Sequence, residues 1–142
     1  MPLSIHEVPP TDAPPALPLL ADPSESKVRT YLPGARCFAA RVDGAIAGIC
    51  AVVTHAQGRH ELINIAVDPA WQQRGIGSRL LVHVIDTYRR EGADRLEVGT
   101  GAFGYPLAFY QRHGFRVFEV DRDFFLRNYD EAIVEDGIQH RD

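Results

Sequence analysis

Six residues from Gln72 to Gly77 have the composition of an anion-binding turn. They follow an apolar run, open a long amphipathic segment and contain glycines at 75 and 77. At a helix start the backbone N–H groups point outward, with the positive end of the helix dipole behind them. Glycine lets a phosphate group come close to the backbone, and Arg74 adds a charged donor. The pattern predicts an anion cradle, although two glycines at a helix start can also serve close packing.

Other side chains that often do chemistry lack a recognisable pattern. The two cysteines, Cys37 and Cys50, lie in apolar runs without a base motif beside them, which predicts small buried hydrophobes and argues against a thiol nucleophile. The six histidines have no metal-ligand spacing, so we expect no metal site and solvated imidazoles.

Composition limits the classes of function. The formal net charge of −4 and the lack of a basic stripe argue against nucleic-acid binding. The longest apolar run, Ile46 to Val53, is too short to span a membrane, and the cytoplasm is the default location. Glu119 to Asp142 carries eight acids against three arginines; this segment either keeps the protein soluble or attracts cationic amines.

The elements that position the cradle follow from local patterns. Arg36 to Val42 and Ala45 to Thr54, joined by Asp43-Gly44, predict a tight antiparallel hairpin. Leu62 to Val67 is apolar on both faces and predicts a central strand. From Gly75 to Glu91 apolar residues recur with helical period, which predicts a long amphipathic helix.

Shorter segments complete the expected fold. The proline-rich segment between the first predicted strand and Pro23 is expected to be irregular, with one short helix. The remaining predicted elements are strands at Leu3 to Val8, Leu96 to Thr100 and Phe115 to Val120, and a helix at Leu107 to His113. This order predicts one α/β (α+β) domain over residues 1–142, with a mixed, mostly antiparallel sheet flanked by helices.

Two segments resemble the signatures of one family. Gln72 to Gly77 is similar to the acyl-CoA motif Q/R-x-x-G-x-G/A of the GNAT superfamily, and Leu107 to Phe115 resembles its A-x-x-Y-x-x-x-G-F segment. The resemblance extends from about Arg36 to Val120, and the tail is similar to that of a small bacterial group within the family. It implies a sheet of about six to seven strands that splays at the central strand.

The resemblance also implies how a donor substrate, acetyl-CoA, would bind. Backbone groups of the splayed strand would pair with the pantetheine arm, and the N–H of Ile65 would donate to the thioester carbonyl. The diphosphate would meet the cradle. The implied binding residues are Ile65, Ala66, Val67, Gln72, Gln73, Arg74, Gly75, Ile76, Gly77 and Ser78.

Two side chains are implied to move protons. A glutamate of the histone-acetylating branch occupies the place matched by Glu61, six residues before Val67, and would take a proton from the amine. Glu97, on the neighbouring strand, and water alone are the alternatives. Tyr110 matches the family tyrosine that protonates the departing thiolate. The asparagine that many members carry before this tyrosine is missing from the segment 101–106, which puts one pantetheine contact in doubt.

The sequence thus predicts an N-acyltransferase that moves an acetyl group from acetyl-CoA to a primary amine by direct attack in a ternary complex. The acceptor is a small molecule or peptide that the sequence does not identify, and Tyr105 is a candidate for its pocket. A homodimer through the tail strand fits the architecture. The alternative is a non-catalytic module that binds acyl-CoA as a sensor or a partner-binding domain.

Overall fold

In the computed structural model, which describes residues 2–56 and 58–142, the chain forms two units. One runs to Gly99 and the other covers Thr100–Asp142. Within the described residues no helix has the length and apolar character needed to cross a bilayer.

The first unit is built on a five-stranded sheet with the spatial order β1-β2-β3-β4-β5. Its strands are β1 (Leu3–Val8), β2 (Arg36–Val42), β3 (Ala45–Ala56), β4 (Arg59–Val67) and β5 (Arg95–Val98). The first four pair antiparallel in chain order, and β5 pairs parallel to β4. The mixed, mostly antiparallel α/β fold is confirmed, with five strands in the sheet where six to seven were expected.

Three helices accompany the sheet: α1 (Ala16–Ala21), α2 (Glu25–Tyr31) and α3 (Ile76–Arg90). Single 3-10 turns lie at Pro10–Asp12, Leu32–Gly34 and Pro69–Trp71. The long helix predicted from periodicity is therefore confirmed within one residue at each end. The proline-rich segment up to Pro23, for which one short helix was expected, contains α1. A second short helix, α2, follows it before β2.

The two faces of the sheet carry separate apolar layers. On one face, called the α1 face, Leu17 of α1 packs against Ile49 and Ala66. On the other, the α3 face, the Phe38 ring meets the Tyr88 ring of α3 edge to face at 6.3 Å. The side chains of α3 that are buried are Ile76, Leu80, Leu81, Val84 and Tyr88. Each such side chain contributes about 2 kcal/mol when it leaves water, so α3 is held mainly by this face.

Two irregularities shift the side-chain alternation of the central strands. Asn64 lies opposite Ala51 and Leu62 opposite Val52, so Ile63 is an extra residue in β4. This is a β-bulge, which re-aims the side chains on either side of it. Nearer the end of the hairpin, Thr54 lies opposite His60 and Ala56 opposite Arg59, so β3 carries an extra residue between them.

The second unit contains two helices and a small hairpin. These are α4 (Tyr105–Arg112), α5 (Phe124–Asn128), β6 (Val134–Glu135) and β7 (Ile138–Gln139). The two strands pair with each other around a turn in which Asp136 and Gly137 have φ of 53° and 76°. The helix predicted at 107–113 is confirmed and begins two residues earlier.

The strand predicted at Phe115 to Val120 is wrong. Residues 115–120 have no regular secondary structure, and Val117, Phe118 and Val120 are 59%, 63% and 55% exposed. Alternating apolar residues give only a preference for extended backbone, because a strand also needs a neighbour with which to form its ladder. Among the described residues no strand pairs with this segment.

Candidate active site

β4 has one edge that is only partly paired. β5 pairs with Arg59 to Leu62 of β4, and β3 pairs along the other edge as far as Val67. Within the described part of the chain, no strand pairs with residues 63–67 on the β5 side. The pairing ends where the bulge residue Ile63 interrupts the regular ladder, which gives the splay a local cause.

The direction of the backbone groups at this edge follows from the ladder with β3. Asp68 donates its N–H to the carbonyl of Ala47 at 2.7 Å, so Asp68 faces β3. Because N–H and C=O groups alternate in direction along a strand, Ala66 also faces β3 while Ile65 and Val67 face the partly paired edge. The side-chain Nε2 of Gln72 donates to the Val67 carbonyl at 2.9 Å, as this direction requires.

The predicted cradle lies where the chain turns from β4 into α3. Gly75 is the N-cap of α3, has φ 78° and provides no side-chain cap. The first intrahelical bond runs from Arg79 N–H to the Gly75 carbonyl at 3.1 Å. A Cβ on Gly75 would meet no protein atom within 4 Å, so the backbone conformation requires glycine here and the space beside it is open. The helix start therefore presents backbone donors to that space.

Two further cradle residues have distinct conformations. Gln73 adopts a left-handed φ of 62°, which only a few per cent of non-glycine residues do. The guanidinium carbon of Arg74 lies 5.0 Å from the centroid of the Trp71 ring, in a cation–π contact. An extended molecule with amide groups could pair with the edge at Ile65 and Val67 and place an anionic end at this turn.

Glu61 and His55 form a hydrogen-bonded pair at the other end of β4. Glu61 lies opposite Val53, which packs in the apolar cluster of the α1 face, so Glu61 is on that face. Its Oε1 is 2.5 Å from Nε2 of His55. Its Oε2 lies beside the end of β5, 3.9 Å from the position that a Cβ of Gly99 would occupy. One oxygen of the carboxylate is thus anchored, and the other is directed toward a residue without a side chain.

The alternative acid, Glu97, has a different environment. It is the parallel neighbour of Glu61, and its Oε2 accepts a hydrogen bond from Arg59 Nε at 2.6 Å, with Arg95 NH1 at 3.9 Å. The hydrogen bond from Arg59 holds the pKa of the Glu97 carboxyl below its usual range, and the charges of both arginines act in the same direction. Glu97 is therefore a poorer proton acceptor in this ion-pair cluster.

Tyr110 lies on α4 of the second unit and is 8% exposed. Its ring meets those of Phe109 and Phe115 edge to face, with centroids 5.3 and 5.7 Å apart. Tyr105, at the start of α4, is 68% exposed, and the guanidinium carbon of Arg112 lies 5.6 Å from its ring centroid. The aromatic contacts hold the Tyr110 ring in a fixed orientation on the helix.

The start of α4 is capped by a distant residue that the sequence did not reveal. Gly104, the N-cap, has φ 99° and no side chain, and Glu135 Oε2 accepts the Tyr105 N–H at 2.8 Å. Glu135 Oε1 is 3.0 Å from Nε2 of His140, whose ring stacks on Phe103 at 4.0 Å. The hydrogen bond from the Tyr105 N–H lowers the pKa of the Glu135 carboxyl most, and the hydrogen bond with His140 lowers it further. His140 is buried, so the expectation that all six histidines are solvated is wrong.

Both cysteines are free thiols within the apolar layers. Cys37 packs on the α1 face, and each cysteine has 0% exposure. Burial raises the pKa of Cys37 to about 11 and raises the pKa of Cys50 further. Among the described residues no group of three His, Cys, Asp or Glu side chains could hold a metal ion.

Comparison with known proteins identifies the family. A family model described as acetyltransferase (GNAT) domain matches residues 33–117. The uncharacterized N-acetyltransferase YvbK of Bacillus subtilis is 42% identical over 125 residues, which cover 87% of this chain and 81% of that protein. The crystal structure of a GNAT family acetyltransferase from Elizabethkingia anophelis with acetyl-CoA bound matches with a TM-score of 0.91 and 34% identity, covering 98% of this chain and 92% of that one.

A more distant relative is named for its acceptor. The ribosomal protein bS18-alanine N-acetyltransferase of Salmonella typhimurium is 34% identical over 76 residues, and the match covers 51% of each chain. The family model, the relatives and the shared fold agree with the resemblance in the two sequence motifs. The chain therefore belongs to the GNAT family of acetyltransferases, whose acetyl donor is acetyl-CoA.

Proposed function

We propose that this acetyltransferase moves the acetyl group of acetyl-CoA directly to a primary amine, with Glu61 as the base and Tyr110 as the acid. The observation that carries the proposal is the position of the two carboxylate oxygens of Glu61, next to the point where β4 and β5 stop pairing. One oxygen is anchored by His55, and the other lies beside Gly99, where no side chain occupies the space.

The donor binds along the edge and turn described above. Ile65 and Val67 would pair with the pantetheine arm as a neighbouring strand does, and the start of α3 from Gln72 to Ser78 would bind the diphosphate. Acetyl-CoA supplies a thioester carbonyl that an amine can attack. The Ile65 N–H would then donate to the oxygen of that carbonyl as negative charge develops on it.

Glu61 would make the amine reactive. An alkyl amine with a pKa near ~10 is almost fully protonated at neutral pH, and only the neutral form has the lone pair that attacks. Glu61 takes this proton, directly or through water. The ion pairs of Glu97 with Arg59 and Arg95 support this choice, because a carboxylate with a lowered pKa accepts protons less readily.

Tyr110 would donate a proton to the departing thiolate. A phenol with a pKa near ~10 can protonate a thiolate whose thiol has a pKa near ~8.5 at little cost. Its role rests on its match to the family tyrosine and on its fixed orientation among aromatic rings. As the amide forms, its nitrogen loses a second proton, which restores the phenol of Tyr110. The net reaction therefore converts the ammonium form of the acceptor and acetyl-CoA into an acetamide, free CoA and one released proton.

Direct attack is favoured over a covalent acyl-enzyme. A ping-pong route needs a nucleophile that the acetyl group can reach as a thiolate. Cys37 and Cys50 are both fully buried, and burial raises the pKa of each thiol. Double-reciprocal plots of initial rate against one substrate, at several fixed concentrations of the other, should therefore intersect. Parallel lines would contradict the ternary complex.

The main test follows CoA release with a thiol reagent while acetyl-CoA and a panel of acceptors are offered. The panel contains polyamines, aminoglycosides, amino acids, a lysine peptide and a peptide with N-terminal alanine, the last because a relative is named for that residue. Acceptor-dependent release supports the proposal and gives the substrate class. CoA binding without release from any acceptor would instead support the sensor module.

Tyr110→Phe tests the acid. The ring and its contacts remain, so affinity for CoA should stay within about twofold while kcat falls, by about 10- to 100-fold if thiolate protonation limits the rate. Tyr129→Phe, at the C-cap of α5, is a matched control for the loss of a phenol hydroxyl elsewhere in the same unit. Equal kcat in Tyr110→Phe and the wild type would remove Tyr110 from this role.

We also propose that residues 1–142 act as one domain, because the family match at 33–117 includes parts of both units. A single cooperative unfolding transition would support this organisation. The homodimer and the cytoplasmic location stay predictions.

A further inference from the structure

His55 is a titratable group that the proposed mechanism leaves without a role. It is the extra residue between Thr54 and Ala56 at the second irregularity of β3. Its Nε2 lies 2.5 Å from Glu61 Oε1, and the His55 side chain is 44% exposed while that of Glu61 is 31% exposed. The imidazole therefore contacts both the candidate base and the solvent.

We infer that His55 relays to solvent the proton that Glu61 takes from the amine, an inference that rests on the proposed function. In the resting state the neutral imidazole donates its Nε2–H to the Glu61 carboxylate. The ammonium group of the acceptor gives one proton to this carboxylate, and exchange with water moves the ring proton from Nε2 to Nδ1. Nε2 then takes the proton of the Glu61 carboxyl, and the imidazolium releases one proton from Nδ1 to water, which restores both the carboxylate and the starting tautomer. No electrons are transferred, and the only bonds exchanged are those to hydrogen.

The neighbouring charges support this assignment. Glu97, Arg59 and Arg95 lie on the same face of the sheet as Glu61, with aligned positions in β4 and β5. Both arginines contact Glu97, at 2.6 and 3.9 Å, whereas the hydrogen-bond partner of Glu61 is His55. Glu61 is thus coupled to an imidazole, which can take up a proton at one ring nitrogen and release a proton from the other.

His60 provides a matched control beside the same glutamate. It precedes Glu61 in β4, but its Nδ1 is 2.8 Å from Thr54 Oγ1 and its ring is 4.7 Å from that of Tyr88, on the α3 face. The two histidines are close in the structure and differ in the face of the sheet on which they lie. A comparison of variants at the two positions therefore separates the effect of losing an imidazole near Glu61 from the effect of losing the relay.

The test compares His55→Gln with His60→Gln in the CoA-release assay. A glutamine amide can still hydrogen-bond Glu61 but cannot carry a proton. We expect kcat of His55→Gln to fall by about 10- to 100-fold with the KM for acetyl-CoA unchanged, and His60→Gln to stay within about twofold of the wild type. Added imidazole buffer should restore the rate of His55→Gln in proportion to its concentration and leave His60→Gln unaffected.

A double-mutant cycle with Glu61→Gln identifies the partner. If the two residues form one relay, His55→Gln should have almost no further effect once Glu61 is replaced. Additive losses, no rescue by imidazole, or an unchanged kcat in His55→Gln would each overturn the relay. These outcomes differ from failure of the proposed function, in which the wild type releases no CoA with any acceptor and the role of His55 falls with it.

Discussion

Replacing Glu61 by glutamine should make turnover depend on the spontaneous ionisation of the acceptor. Glutamine keeps the length of the side chain and can accept a hydrogen bond from His55, but it cannot take the proton of an ammonium group. For an amine with a pKa of about 10.4, only about one molecule in a thousand is neutral at pH 7.4. The loss of kcat/KM should therefore reach about a thousandfold at that pH, equivalent to about 4 kcal/mol.

The same reasoning predicts how the loss changes with pH. At pH 9.4 about one amine in ten is already neutral, so the deficit of Glu61→Gln should shrink to about tenfold. The measurement is kcat/KM of the wild type and the variant across this range, with the thiol assay calibrated at each pH. A deficit that stays constant from pH 7.4 to 9.4 would refute the assignment of Glu61 as a base.

Glu97→Gln is the matched control for this experiment. It removes the neighbouring carboxylate on the same face and breaks the ion pairs with Arg59 and Arg95. Ion pairs in contact with solvent contribute little to the free energy of unfolding, so the protein should remain folded. We expect kcat/KM to stay within about threefold of the wild type. A larger loss in Glu97→Gln than in Glu61→Gln would exchange the roles of the two acids.

Three further predictions concern stability and reactivity. Native protein should give almost no reaction with a thiol reagent, and the unfolded protein should give two thiols per chain, because both cysteines are fully buried; fast labelling of native protein would contradict this burial. Because the pKa of the Glu135 carboxyl is lowered in the folded state, its contribution to stability is complete above its ordinary pKa of 4.5 and is lost as the pH falls through the folded value. The difference in melting temperature between the wild type and Glu135→Gln should therefore disappear at acid pH, and a constant difference would argue against an ionic contribution. Gly104→Ala should cost about 1 to 3 kcal/mol in the free energy of unfolding, since φ is 99° and a Cβ would collide with the Glu135 carboxylate. Gly44→Ala, at φ 85° with open space around it, should cost less in the same denaturation experiment.

Features that depend on local sequence could be predicted well. The helical period fixed the extent of α3, and Asp43-Gly44 identified the hairpin between β2 and β3, because each depends on contacts within a few residues. The glycine turn that opens α3 at Gly75 was also expected from local pattern, and its role as an anion cradle stays a prediction. The reason for glycine is clearer in the structure, where its backbone is left-handed and the surrounding space is open.

Features that depend on distant partners could not be predicted from the pattern. The segment 115–120 alternates as a strand does, yet forms no ladder. Glu135 caps α4 from thirty residues away, and a sequence motif records neither this distance nor its direction. His55 looked like an ordinary loop histidine because its proximity to Glu61 depends on an extra residue in β3. Glu61 itself was identified through the family resemblance, since an isolated acid at a strand end has no distinctive pattern.

The extra residue at Ile63 changes the length of β4 without changing which side chains face α1. Leu62 lies opposite Val52 and Asn64 opposite Ala51, so deleting Ile63 would restore a regular period of two and leave His60 and Glu61 on their present faces. The edge is what such a deletion would change, because the ladder between β4 and β5 ends at Leu62, next to the bulge. A strand one residue shorter could continue that ladder and occupy the backbone groups of Ile65 and Val67. Insertions and deletions in this strand are therefore a route to the gain or loss of the proposed donor-binding edge beside an unchanged carboxylate.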